Sequence, residues 1–142
     1  MKAAVGIFVC AVLFVIFAIV PGPGAAQNAE DTAVKASSQW LALVDGGKYG
    51  ESWDESAHVF RGAVTKEKWK ESLTAVRKPL GKLISRSVKS KLYSRSLPGA
   101  PEGEYVVIQY EASFENKRSS VETVTPMLDK DGKWRVSGYY IR

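Results

Sequence analysis

The second half of the chain alternates between hydrophobic and polar residues, which is typical of strands with one buried face. The clearest example is the segment 104–115, in which every second side chain from Val106 to Phe114 is apolar. Three turn-forming segments that contain glycine, proline, asparagine or aspartate divide this half: 98–103, 116–118 and 129–132. The pattern therefore predicts an antiparallel meander of four strands, at 83–97, 104–115, 119–128 and 133–141.

In the first half, apolar residues recur at spacings of three and four, which predicts three helices. The first begins at Thr32 and ends at Asp45-Gly46-Gly47, and the second covers 49–58. The third begins after the N-cap Thr65, with Trp69, Leu73, Val76 and Leu80 on its apolar stripe. Each helix carries one tryptophan that we expect in the core: Trp40, Trp53 and Trp69. The sequence thus predicts an α+β domain in which N-terminal helices pack on a curved four-stranded sheet.

The N-terminal segment has the order of residues found in secretory signals. Lys2 is followed by an uncharged, almost wholly apolar run at 3–20 and by the helix-breaking residues 21–24. The small residues after them predict cleavage between Ala26 and Gln27. The predicted organisation is a signal peptide at 1–26, a disordered mature N-terminus at 27–31 and a single domain at 32–142.

This organisation predicts an exported protein, either secreted or, if the source is a bacterium, periplasmic. The alternative is an inner-membrane protein anchored by residues 3–20, because that run is about as long as the shortest spanning helices, at roughly 17 residues. The net charge of +5 is modest. We therefore expect no nucleic-acid partner, and at most a weak association with an anionic envelope surface.

The scarcity of cysteine and histidine excludes several kinds of site. Cys10, the only cysteine, lies in the apolar run, and His58 is the only histidine. A cleaved chain would have no disulfide, no thiolate nucleophile and no two-histidine zinc motif. We accordingly expect no metal and no cofactor.

Five segments of the mature chain carry a resemblance to a known family: 40–49, 64–69, 76–81, 96–107 and 122–141. They resemble an uncharacterised bacterial family, the domain of unknown function 4019. More distantly, helices followed by a meander that closes on an Asp-Gly-Lys-Trp hairpin are similar to the nuclear-transport-factor-2-like, or cystatin-like, superfamily. That resemblance implies a sheet wrapped as a cone, whose inner face often forms a pocket. Some members of that superfamily are ketosteroid isomerases, and many are binding or dimerisation modules.

Aromatic residues on the predicted strands are the candidates for a ligand pocket inside such a cone: Tyr110, Phe114, Trp134 and Tyr140. In the last strand, Trp134, Val136, Gly138 and Tyr140 are predicted to share one face. The basic residues of the first strand indicate either a solvated strand that resists aggregation or a surface for an acidic partner or lipid headgroups: Arg86, Lys89, Lys91 and Arg95.

Two polar groupings could carry chemistry, and both also have structural explanations. Asp54 and His58 are four residues apart in the second predicted helix and could meet as an acid–base pair. Glu51, Asp54 and Glu55 could supply a general base, or could simply stabilise the start of a helix. Because no other motif completes a site, we expect no catalysis at Asp54 and His58. Asp129-Lys130-Asp131-Gly132 lacks the ligands of a calcium loop and predicts a hairpin turn with Gly132 at positive φ.

These observations favour a small exported module that binds an unknown small ligand or protein partner. Two alternatives remain open. One is a pocket enzyme of the isomerase or hydratase type that uses a carboxylate and a tyrosine. The other is a structural protein of the cell envelope that pairs through its sheet.

Overall fold

The computed structural model describes residues 23–142. Within these residues, four α-helices and one 3-10 turn come first, and four strands follow. The elements are α1 Pro23–Asp45, α2 Tyr49–Asp54, α3 His58–Ala63, α4 Lys66–Arg77, the 3-10 turn Lys78–Leu80, β1 Leu83–Ser94, β2 Tyr105–Phe114, β3 Lys117–Leu128 and β4 Trp134–Ile141. The strands form one antiparallel sheet in the order β1-β2-β3-β4. The predicted α+β meander is therefore confirmed. No helix in this part of the chain is long and apolar enough to cross a membrane.

Helix α1 begins at Pro23 rather than at the predicted Thr32. The added turns carry no apolar stripe and are held instead by polar contacts with β1. Asp31 accepts a hydrogen bond from the Lys91 ammonium at 2.7 Å, and Glu30 accepts one from the Tyr93 backbone N–H at 3.2 Å. Most of the predicted signal, residues 1–22, lies outside the described residues, and cleavage before Gln27 stays a prediction. The predicted disorder at 27–31 concerns the cleaved chain and also stays a prediction. In the structure of the uncleaved chain, these residues belong to α1.

The single helix predicted at 49–58 is wrong, because α2 ends at Asp54 and α3 begins at His58. Between them Ala57 is fully buried and has an extended backbone. Its N–H donates to the carbonyl of Val136 on β4 at 2.8 Å. This bond fixes the helical layer to the outer strand of the sheet, and a continuous helix could not make it.

The tryptophans predicted for the core do lie there, and each indole N–H has a partner. Trp40 donates to the Ser52 carbonyl at 2.8 Å and to the Ser56 hydroxyl at 3.0 Å. Trp69 donates to the Ser52 hydroxyl at 2.9 Å. The centroids of the Trp40 and Trp69 rings are 6.0 Å apart. Trp53, which packs at the margin of this cluster, donates to the Val64 carbonyl at 2.8 Å.

β4 contains one extra residue, and the side chains after it point to the opposite face of the sheet from the one predicted. Pro126 is paired with Val136, but the preceding Thr125 is paired with Gly138, so Ser137 is left over. A bulge of this kind shifts the alternation of side chains by one position. The face predicted for β4 is therefore wrong beyond Val136, because Tyr139 packs against Trp40 at 5.3 Å between ring centroids, whereas Tyr140 is 54% exposed.

Candidate functional site

Four charged side chains and one tyrosine meet between the helices and the sheet: Asp45, Arg77, Arg86, Glu122 and Tyr139. Arg86 reaches inward from β1 and joins the two carboxylates. Its Nε donates to Glu122 at 2.6 Å, and its two terminal nitrogens donate to Asp45 at 2.7 and 2.9 Å. The last residue of α1 and two strands, β1 and β3, are thus connected through a single guanidinium.

The remaining two members complete the charge balance of this ionic cluster. Arg77, at the end of α4, donates to Asp45 at 2.8 Å, and its guanidinium lies 4.7 Å from the centroid of the Phe114 ring. The Tyr139 hydroxyl donates to Glu122 at 2.5 Å. Glu122 is fully buried. Two arginines therefore balance two carboxylates in a site that is largely closed to water.

These contacts shift the pKa values of three members of the cluster, Asp45, Arg86 and Tyr139. Burial alone would raise the pKa of Asp45, but hydrogen bonds from Arg86 and Arg77 outweigh it and lower the pKa below its ordinary value. Desolvation opposes the charge on Arg86, yet its bonds to Asp45 and Glu122 raise its pKa. Burial and the charge of Glu122 both raise the pKa of Tyr139. These shifts favour the ionised forms of Asp45 and Arg86 and the neutral form of Tyr139, as expected for a cluster that connects the helices to the sheet.

A separate, open groove of about 500 Å³ lies between α1, α2 and the start of β4. The α2 wall carries the acidic residues Glu51, Asp54 and Glu55, and the opposite wall carries Lys133, Trp134 and Arg135. The other residues that line it come mainly from α1: Ala36, Gln39, Trp40, Leu43 and Val136. Acidic, basic and aromatic groups therefore face one accessible volume.

Some of the charges in the groove are already neutralised by neighbours. Both oxygens of Asp54 accept hydrogen bonds from Lys66 at 3.0 Å. Arg135 donates to the carboxylate of Asp131 at 2.6 and 2.7 Å. Within residues 23–142, Glu51, Glu55 and Lys133 have no ion pair. These three charges remain available to a ligand.

The β3–β4 turn lies directly before Trp134 in the chain and is fixed to the helical layer. Gly132 has the predicted positive φ, at 81°. Asp129 accepts hydrogen bonds from the backbone N–H groups of Lys130 at 2.9 Å and His58 at 3.1 Å. The turn is thereby attached to the first residue of α3, which gives Asp129 a structural role.

The model of the family described as Protein of unknown function (DUF4019) matches residues 36–139. The chain belongs to this family. The match begins within α1, ends within β4, and includes both the ionic cluster and the groove. None of the curated proteins compared with the chain matches it significantly. The family resemblance is thus confirmed for the DUF4019 domain, while the more distant superfamily and its cone-shaped sheet stay predictions.

Of the four aromatic residues predicted for a pocket of the DUF4019 domain, Trp134 lines the groove. Tyr110 is buried and donates to the Ser37 hydroxyl at 2.9 Å, and Phe114 is buried beneath Arg77. Tyr140 lies on the opposite, exposed face of the sheet. Whether any of the four binds a ligand stays a prediction.

The other sequence candidates in the DUF4019 domain are separated by the break after α2. Asp54 and His58 lie on different helices and are both exposed, and Asp54 bonds Lys66. Their predicted placement on one helix is therefore wrong. Among residues 23–142, no group of three or more potential metal ligands comes together. The absence of a metal and of a cofactor stays a prediction.

Sequence reasoning missed the ionic cluster of the DUF4019 domain. The predicted apolar stripe of α4 is wrong at one position, because Val76 is 44% exposed and Arg77 is buried. Arg86 was expected on a basic surface, either solvated or facing an acidic partner, and it is instead held between two carboxylates of the same chain. The available signal was Glu122, a lone acid in a strand of valine and threonine, which required a buried partner.

The depressed pKa of Asp45 predicts a loss of stability in acid. Its folded pKa lies below the unfolded value of about 3.9. The stabilisation is therefore fully present above that unfolded value and is lost as pH falls through the folded pKa. We expect the urea midpoint to fall between about pH 5 and about pH 2. Asp45→Asn should weaken this dependence without removing it, since bonds at Asp129 and Asp131 also lower the pKa of those carboxyls. An unchanged dependence in Asp45→Asn would contradict the assignment.

Proposed function

We propose that this protein is an exported binding module that holds a small, positively charged polar ligand in the groove between α1, α2 and the β3–β4 turn. The observation that carries the proposal is the presence of Glu51 and Glu55 in the same groove as the indole of Trp134. Carboxylates and the face of an indole both attract cations. Lys133 on the opposite wall could contact a carboxylate or carbonyl of the same ligand.

We favour binding over catalysis because no tyrosine is among the residues that line the groove. The enzyme alternative requires a carboxylate beside a tyrosine. The hydroxyls of Tyr110 and Tyr139 are used in the interior, on Ser37 and Glu122. Asp54 is neutralised by Lys66. These contacts support a site that attracts and orients a ligand without transferring a proton.

Export is supported by the order of Lys2, the apolar run at 3–20 and the small residues before Gln27. A binding module in the periplasm would meet peptides, amines and fragments of the cell wall. Amino groups are common to these molecules, and they are the class that the charges of the groove suit best.

The test uses protein recovered from the periplasmic fraction, where intact mass should show a chain that begins at Gln27. The probe is the tripeptide Ala-Lys-Ala, compared with the neutral Ala-Gln-Ala by tryptophan fluorescence titration. Both peptides carry an acetylated N-terminus and an amidated C-terminus, so that the lysine ammonium is the only charge that distinguishes them. We expect only the cationic peptide to bind. Trp134→Ala should weaken binding by roughly five-fold, which corresponds to the loss of one exposed cation–π contact.

The double variant Glu51→Gln, Glu55→Gln should abolish the preference for lysine. A matched control is Glu67→Gln with Glu71→Gln, which removes the same charge from exposed positions on α4. Equal binding of the two peptides, or an equal loss in the control, would contradict the proposed site. A chain that retains Met1 would contradict cleavage of the signal. The peptide titration would still test the binding site, because the two measurements are independent.

A further inference from the structure

The two outer strands of the sheet differ in charge and in regularity. β1 carries Lys89 and Lys91 and has two register shifts against β2. β4 has no charged residue between Arg135 and Arg142. Basic residues and bulges on an outer strand hinder pairing with another chain. The β1 edge therefore has this protection, and the second half of β4 does not.

The backbone groups at the end of β4 point away from the sheet and are open. Arg142 exchanges both backbone hydrogen bonds with Val121 on β3. By the alternation of an antiparallel ladder, the N–H and C=O groups of Tyr139 and Ile141 then face outward. Among residues 23–142, the one backbone bond to this edge from another element is that of Ala57 to Val136, before the bulge. The outward backbone groups of Tyr139 and Ile141 can therefore bond a partner strand.

We infer that a second copy of this chain pairs with β4 in antiparallel orientation, about a two-fold axis at Tyr140. Tyr139 of each copy then exchanges two backbone hydrogen bonds with Ile141 of the other. The two Tyr140 side chains lie directly opposite each other on the exposed face. The two sheets become one continuous sheet across the axis.

The side chains in this register are complementary. Arg142 of one copy faces Gly138 of the other, so no like charges meet and no side chain obstructs the arginine. At the β1 edge, a second copy would instead approach the basic side chains of Lys89 and Lys91, and the Tyr93 N–H is already bonded to Glu30 of α1. Charge therefore selects β4 as the edge that pairs with itself.

An apolar cleft beside the same edge provides further surface to bury. It has a volume of about 200 Å³, and it is lined mostly by apolar side chains of α4 and β4: Trp69, Ser72, Leu73, Val76, Tyr139, Tyr140 and Ile141. Val76 and Tyr140 are 44% and 54% exposed. Since the cleft adjoins the axis, both copies contribute such a surface to one interface.

Disulfide trapping tests this register directly. A directly opposed, non-hydrogen-bonded pair has Cα atoms about 4.5 Å apart, which is within the range that a disulfide can bridge. In a Cys10→Ser background, Tyr140→Cys should form a covalent dimer on mild oxidation. The control is Leu92→Cys, on the opposite outer strand and 65% exposed. It should stay largely reduced over the same time. Equal dimerisation of the two variants, or none in Tyr140→Cys, would overturn the proposed axis.

Sedimentation of the unmodified protein provides a second measurement. It should show a monomer–dimer equilibrium, and Tyr140→Lys should raise the dissociation constant by roughly ten-fold, because two lysines would then be opposed. Leu92→Lys should have no effect. A wild-type protein that stays monomeric at high concentration would overturn the inference. That outcome would hold even if a different protein pairs with the β4 edge, because the inference names a second copy of this chain as the partner.

Discussion

Replacement of Glu122 by glutamine is expected to lower the free energy of unfolding by about 3–5 kcal/mol, the typical cost of removing one partner from a buried ion pair. The substitution keeps the size of the side chain and removes its charge. Arg86 and Arg77 would then share the single carboxylate of Asp45, and one buried positive charge would be uncompensated. Urea denaturation followed by tryptophan fluorescence measures the change, with a constant m-value as the check that the unfolding transition is comparable.

The matched control for this variant is Glu111→Gln. Glu111 is exposed on β2 and is paired with Val121, next to Glu122 along β3. The same chemical change at this position should alter stability by no more than about 0.5 kcal/mol. If Glu122→Gln were as mild as the control, the buried cluster would not connect the helices to the sheet as described.

Trp40→Ala is the second change with a large expected effect, a loss of about 3–5 kcal/mol. The substitution removes the ring contacts with Trp69 and Tyr139 and both hydrogen bonds to α2 and its end. Ser52 and Ser56 would lose a buried donor at the same time. Thermal and urea unfolding should both show the loss.

Trp134→Ala is the control for a tryptophan outside this cluster. Its side chain is only partly buried and lines the open groove. We expect this variant to remain folded, with a smaller loss of stability than Trp40→Ala. Equal losses in the two variants would mean that Trp134 is a core residue, and would weaken the argument for a binding site.

The order of elements could be predicted because turn residues and periodicity are local signals. Gly132 required a positive φ, and Thr65 caps α4 by accepting from the Lys68 N–H, as predicted. The break between α2 and α3 could not be predicted, because it depends on the contact of Ala57 with Val136 on a distant strand. The bulge at Ser137 lies opposite the step from Thr125 to Pro126, and its exact position depends on how β3 and β4 pair.

The sites were predictable only in part, for the same reason. Trp134 and the acids of α2 could be chosen as candidates by residue type, yet their meeting in one groove depends on how the helical layer packs on β4. The buried arginines were missed because periodicity assigns charged residues to the solvent. Arg86 departs from that rule because Asp45 and Glu122, far apart in sequence, both reach its guanidinium.

The measurement that tests the proposed function most directly is a map of amide chemical shifts during titration with Ala-Lys-Ala. The account predicts that the largest changes occur around Glu51, Glu55 and Trp134, and that they disappear in Glu51→Gln, Glu55→Gln. Changes centred elsewhere, or none at concentrations that saturate weak sites, would contradict a cation-binding groove.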